Sequence, residues 1–302
     1  MDDFASTALY NLIAAQLRRA GLNVAASRRF EGKTDATQKA DLLTHALKAL
    51  GPSVVVGIGQ GIRTAGADPT LAVLLDADAP DELLARWQRL ERYYHGKHRV
   101  RLVSTASNAV TLEHYSTRSA QPSAGEDLVI AGLLAALLQS IGCRELALAI
   151  GTPPTAFMAR DRLLTVSEVP QATAVWQFSW RCFRKRRHEL CVPERAGSVS
   201  EALRVLLGSD LGRNWRVSDA AGMFGMSRRS LQRSLAREGA SFQQLLRIVR
   251  AERSAELIGA GGCKLAEAGY ACGFADQAHF SRDFKLRFNM SPSQFAELAA
   301  SS

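Results

Sequence analysis

The chain has 302 residues, 47% of them apolar, enough for two domains of ordinary size that each bury a core. Its net charge of +9 is unevenly placed: residues 1–180 hold 18 Lys/Arg against 17 Asp/Glu, and residues 181–302 hold 20 against 12. A surplus confined to one end selects an anionic partner for that end, nucleic acid being the commonest, because neutralised phosphates release counterions. Five cysteines, odd in number and irregularly spaced, point away from a disulfide framework and toward reduced cytoplasmic thiols. The first apolar stretch, Leu9 to Leu17, is broken by Asn11 and Gln16, so no secretory leader is expected.

In chain order, Phe4 to Leu22 reads as an amphipathic helix and Lys39 to Leu50 as a second, stopped by Gly51-Pro52. Gly57, Gly59, Gly61 and Gly66 follow Val54 to Val56, but Ile62 and Thr64 stand where the third glycine of a dinucleotide loop must fall. A flexible turn is expected there. Asp81 to Tyr94 is a helix with Leu84, Trp87, Leu90 and Tyr94 on one stripe, and Arg99 to Ser104 and Ala109 to Tyr115 alternate as the strands of a hairpin. In the helix Glu126 to Ile141, the most apolar part starts at Leu128 and runs roughly 14 residues, short of the ~20 that cross a bilayer, so it reads as a buried core helix and no membrane partner is expected. Leu146 to Ile150 and Ala174 to Trp180 are further strands. Residues 1–180 are therefore expected to form an α+β domain. In it, Trp87, Tyr94 and His98 beside the hairpin are candidate effector-binding residues, since small-molecule sites are mostly apolar with a few orienting polar groups; ordinary core packing is the competing reading.

Residues 181–197, with the basic run Arg184 to Arg187 and Pro193, read as a linker. Cys182, His188 and Cys191 lie close together within it and have the chemistry of zinc ligands or of a thiol sensor, but a fourth ligand is missing and their placement reads as incidental. No nucleophile elbow, phosphate loop or H-E-x-x-H occurs, so no catalytic residue, metal or cofactor is assigned.

From Ser198 onward helix signals follow at close intervals. Ser198 with Glu201, Ser241 with Gln244 and Ser291 with Gln294 have capping-box spacing, and Pro292 suits a first helical turn. Between these starts lie two helix pairs, each turning at a glycine. In the first, Ser218 to Phe224 stops at Gly225, and Ser227 caps a helix whose Leu231 and Leu235 point inward while Arg228, Arg229, Gln232 and Arg233 face out. In the second, Leu265 to Cys272 stops at Gly273. A helix from Asp276 follows, with Phe280, Phe284 and Phe288 as its core stripe and Gln277, Ser281, Arg282 and Lys285 outside it. Arg offers paired donors to guanine and Gln suits adenine, as major-groove reading requires. The helix Phe242 to Ile258 between the pairs is roughly 25 Å long, a spacing on the scale of successive major grooves, about 34 Å. Arg247, Arg250 and Arg253 on it are candidates for phosphate contact.

Residues 273–295, GFADQAHFSRDFKLRFNMSPSQF, and 220–246, AAGMFGMSRRSLQRSLAREGASFQQLL, resemble the AraC/XylS (arabinose-regulator) family of transcription regulators. The resemblance implies an all-α DNA-binding domain with two helix-turn-helix units at 198–302, contacts from Arg229, Gln232, Arg233, Gln277, Ala278, Ser281 and Arg282, and double-stranded DNA and RNA polymerase as partners. Gly269 and Lys264 depart from the family's usual alanine and capping Ser/Thr, and a helical glycine costs about 1 kcal/mol. Residues 42–102 more distantly resemble the sensor domain of the ornithine-utilisation regulators, which implies an unidentified small-molecule effector, a homodimer and no catalysis. An enzyme, or a pure dimerisation module, fused to the DNA-binding part is the alternative.

Overall fold

The computed structural model describes the chain apart from residues 1–3, 6, 23, 25–33, 65–68, 95–96, 119, 185–196, 262 and 301–302. The helices are α1 (Thr7–Arg19), α2 (Ala36–Leu50), α3 (Pro52–Ile58), α4 (Pro69–Leu75), α5 (Pro80–Tyr94), α6 (Ala124–Ile141), α7 (Val199–Ser209), α8 (Val217–Met223), α9 (Arg228–Arg237), α10 (Phe242–Gly259), α11 (Leu265–Ala271), α12 (Gln277–Phe288) and α13 (Pro292–Ala300). The strands are β1 (Phe4–Ala5), β2 (Thr34–Asp35), β3 (His98–Ala106), β4 (Ala109–Ser116), β5 (Cys143–Arg144), β6 (Ala147–Ile150), β7 (Thr155–Ala159), β8 (Arg162–Leu163), β9 (Val175–Ser179) and β10 (Cys182–Phe183). They fall into two units, one of residues 1–68 and 78–186, the other of residues 69–77 and 187–302. The second unit thus takes in α4, in the middle of the stretch read from sequence as one domain. β10 pairs with β5, so the stretch read as a linker begins inside the first unit's strands.

The first unit is a mixed helix and sheet fold around an antiparallel six-stranded sheet of order β3-β4-β9-β6-β7-β8. The hairpin is present, with Val103 as a bulged residue between paired Leu102 and Ser104. Alternation sends Val110, Leu112 and His114 of β4 and Trp176 and Phe178 of β9 into the interior. The strands at 155–159 and 162–163 were not read from the sequence. α6 is 18 residues long, starting two residues before the Glu126 read from sequence, and is apolar enough by composition to cross a membrane. Its side chains are buried nearly all round, from Gly125 to Ile141, as befits the central helix of a folded core.

Gly66 lies outside the described residues, and the other three glycines of the run are helical rather than part of a flexible turn. Gly57 lies in α3, and Gly59 and Gly61 lie in a 3-10 helix, Gly59–Thr64, that continues it. A Cβ on Gly132 of α6 would stand 1.9 Å from the Val56 carbonyl oxygen, and one on Gly59 would stand 2.1 Å from the Gly132–Leu133 backbone. The glycines let two helical backbones touch, a use that resembles a loop signal in sequence because both remove side chains. Replacing Gly132 with alanine forces these backbones apart. We expect Gly132→Ala to lower unfolding free energy by about 1–3 kcal/mol or more, read by denaturant titration of the first unit's tryptophan fluorescence.

Candidate nucleic-acid interface

The second unit contains two helix pairs closed by one turn chemistry. α8 ends with Gly225 at φ +63° and α11 with Gly273 at φ +78°, the left-handed conformation that glycine adopts without a Cβ clash. Beyond the first helix, the Met226 N–H donates to the Ala221 carbonyl and the Gly225 N–H to the Gly222 carbonyl. Beyond the second, the Phe274 N–H donates to Gly269 and the Gly273 N–H to Tyr270. This double closure satisfies the orphan carbonyls at a helix C-terminus. Ser227 then caps α9, its hydroxyl accepting from the Ser230 N–H at 3.1 Å, and Asp276 caps α12, accepting from the His279 N–H at 2.8 Å. At the start of α11, where the usual Ser/Thr is replaced by Lys264, only the reciprocal half of the cap survives: the Glu267 carboxylate accepts from the Lys264 N–H.

Inside each pair the packing fixes which face is left outside. Leu231 and Leu235 of α9 join Leu203, Leu206, Leu207 and Trp215 in one core, and Phe280 and Phe284 of α12 join Phe274, Ala268 and Ile258 in another. The phenylalanine rings stack in series, Phe274 to Phe280 at 5.1 Å, Phe280 to Phe284 at 5.6 Å and Phe284 to Phe288 at 4.6 Å between centroids, separations within the favourable aromatic range. One buttress escaped sequence reading. His279 accepts from the Ala275 N–H through Nδ1, its Nε2 lies 3.2 Å from the buried Asp283, and its ring packs edge-on to Phe274. It pins the turn to the first coil of α12.

Opposite these cores, Arg228, Arg229, Gln232 and Arg233 of α9 and Gln277, Ala278, Arg282 and Lys285 of α12 are exposed, with Ser281 half-buried. Among the described residues none of Arg228, Arg229, Arg233, Arg282 and Lys285 has an acidic partner. Other cations are engaged: Arg204 and Arg287 bind Glu252, Arg253 binds Glu256, and Arg213 stacks on Trp215. Of the α10 arginines that are candidates for phosphate contact, Arg247 is exposed and has no acidic partner among the described residues, while Arg253 is tied to its own helix.

In the first unit the candidate effector residues have separate roles. Trp87 is buried and its indole N–H donates to Glu91 at 2.8 Å. His98 opens β3, with Nε2 3.3 Å from the Ala120 carbonyl and Nδ1 3.8 Å from Glu126. The side chain of Tyr94 lies outside the described residues. Near His98 a polar chain runs through the interior: Lys39 pairs with Glu126 at 3.0 Å, His114 Nδ1 lies 2.7 Å from Asp127, and Thr173 donates to Asp127 at 2.6 Å. Burial works against the Glu126 carboxylate, but Lys39 and the Ser123 N–H outweigh it and hold its pKa at about 2. Burial likewise lowers the pKa of His98, against the pull of Glu126. Burial pushes the Cys143 and Cys272 thiols up to about 12, far from the reactive range. His188 and Cys191 lie outside the described residues, and among those described no three His, Cys, Asp or Glu gather as a metal site would need.

The family described as a helix-turn-helix domain matches residues 220–297, which take in both helix pairs except the first three residues of α8. The chain is 34% identical over 95 residues to the TCP pilus virulence regulatory protein of Vibrio cholerae, covering 32% of this chain and 34% of that protein. It is 32% identical over 96 residues to the urease operon transcriptional activator of Escherichia coli, covering 32% of each. It therefore spans about a third of the length of these curated relatives. Among solved structures, ToxT from Vibrio cholerae O395 is 30% identical with a TM-score of 0.33, over 35% of this chain and 41% of that one. The C-terminal unit carries a helix-turn-helix domain, and the curated relatives it resembles are a regulatory protein and a transcriptional activator.

Two side chains offer tests of this packing. Phe284 is fully buried amid three aromatic neighbours, Phe280, Phe288 and Phe295, and Phe284→Ala should cost about 3–5 kcal/mol of stability by opening a cavity, measured by chemical denaturation. Glu91 is buried and accepts from the Val100 N–H at 3.0 Å as well as from Trp87. Burial pushes its carboxyl up to about 7, against those hydrogen bonds. The folded state therefore holds this proton more tightly than the unfolded chain does. Its stabilisation is complete below about pH 4.5 and disappears as pH rises through 7, a difference of about 3 kcal/mol. In Glu91→Gln this part of the pH dependence should vanish, so the stability difference between variant and wild type should shift by that amount between pH 4.5 and pH 8.

Proposed function

We propose that the chain is a transcription regulator of the AraC/XylS family, which binds double-stranded DNA through two helix-turn-helix units, α8–α9 and α11–α12. The observation that carries this reading is the repeated geometry itself: two helices, each launched from the same glycine turn, present amides, and cations with no acidic partner among the described residues, on the face away from the core. Arg228, Arg229, Gln232 and Arg233 are the base and phosphate contacts of the first unit, and Gln277, Ala278, Ser281, Arg282 and Lys285 those of the second. Side chains already paired within the protein would have to break an ion pair to bind DNA; these do not.

The first unit is the sensing module, controlled by a small effector, and self-association as a homodimer accompanies that role. The resemblance of residues 42–102 to the sensor of the ornithine-utilisation regulators supports it. Such a regulator works in the cytoplasm with RNA polymerase and without an enzymatic step of its own. An effector acts here only by binding one arrangement of the protein better than another.

DNA enriched from a random duplex pool by the full chain tests the reading. Binding should fall at least about tenfold between 50 and 200 mM salt. Arg233→Ala and Arg282→Ala should each weaken the enriched sequence by about 1–3 kcal/mol and leave binding to unrelated DNA nearly unchanged. Equal losses on both would move these two residues from bases to phosphates, and salt-independent binding would remove the electrostatic basis of the proposal.

A further inference from the structure

The two helix pairs do not share one core. Leu245 and Leu246 of α10 are buried with the first pair, and Ala255 and Ile258 of the same helix with the second. Between them stands Glu252, half-buried at the middle of α10. One carboxylate oxygen accepts from Arg204 of α7 at 2.6 Å and the other from Arg287 of α12 at 2.7 Å. A second tie is apolar: Leu211, just after α7, is buried in the second core, and its carbonyl lies where a Cβ on Gly273 would be, 1.9 Å away.

We infer that Glu252 is the positioning residue that sets the angle between the two recognition helices, and with it the spacing of the two DNA segments the protein binds. This rests on the proposed DNA-binding function. The Leu211 side chain, buried among the apolar residues of the second core, is a pivot, since an apolar contact is non-directional and permits rotation about itself. A carboxylate holding one arginine with each oxygen is directional. Its two guanidinium partners belong to opposite halves, so twisting one half against the other must stretch one of the two bonds. Each pair is partly solvated and weak alone. The shared carboxylate matters because it acts on a lever: a small rotation at the middle of α10 is carried outward to both recognition helices.

The test uses the full chain and the DNA it enriches from a random pool, with one base pair inserted or removed between the two protected segments. One base pair turns the second segment by about a tenth of a helical turn. Wild type should lose at least tenfold on these altered spacings. Glu252→Gln should bind the parent sequence with little loss but show a spacing penalty reduced about three- to tenfold. Arg287→Ala leaves the Arg204 bond in place and should reproduce this, while Arg287→Lys restores part of the penalty. Melting curves of each variant report whether it is folded, and the Arg287 variants decide the matter if Glu252→Gln is not. Folded variants that keep the full wild-type penalty overturn the inference and leave the DNA-binding reading intact. A wild-type chain that enriches no DNA overturns that reading and this one with it.

Discussion

Because α10 contributes its first turns to one core and its last turns to another, the C-terminal unit is constrained to be a rigid bar with a folded head at each end. An 18-residue helix is about 27 Å long, and a helix does not shorten to accommodate a poor fit. Everything at either end has to adapt to that length. The Ser241 hydroxyl fixes where the bar begins by accepting from the Gln244 N–H, and the phenylalanine stack fixes how α12 lies against its far end. The two glycine turns then set the direction in which α9 and α12 leave their scaffolding helices.

The first unit answers a different constraint. α6 is buried nearly all round, so the polar groups at its N-terminus have to be satisfied inside the protein. Ser123 and Glu126 cap the helix reciprocally, Glu126 also receives Lys39, and Asp127 receives His114 and Thr173. Acidic groups at a helix N-terminus sit favourably with its dipole, which helps to explain how carboxylates at 126 and 127 persist in the interior.

Much of the C-terminal unit was legible because its signals are local. Ser198, Ser241 and Ser291 are capping residues whose partners lie three positions away, and all three bonds are formed. The glycine at each turn, the four-residue recurrence of phenylalanine and the inward Leu231 and Leu235 are likewise read within one or two helical turns. The first unit was legible where a local pattern showed a clear period, in α1, α2, α5, α6, the β3–β4 hairpin, β6 and β9. β7 and β8 pair with neighbours close in sequence, β7 with β6 and β8 with β7, but both are too short to leave a periodic trace. The glycine run misled because its meaning depends on Gly132, more than seventy residues on. The environments of Glu91, Glu126 and Asp127 were equally hidden, since a carboxylate in a helical stretch reads as solvated until the packing encloses it.

The division of cations into paired and unpaired ties these levels together. Where an arginine holds the fold, as Arg204 and Arg287 do on Glu252, the chain supplies an acid within reach. Along the outer faces of α9 and α12 it supplies none among the described residues, and α9 sets Arg228, Arg229 and Arg233 within six positions of one another. Like charges so close repel, and the free protein bears that cost as reduced stability. A polyanion laid along the same face removes the repulsion and adds attraction. In the proposed DNA-binding reading the local destabilisation and the affinity for DNA have one source, so replacing these arginines with neutral residues is expected to stabilise the fold slightly while weakening the proposed contact.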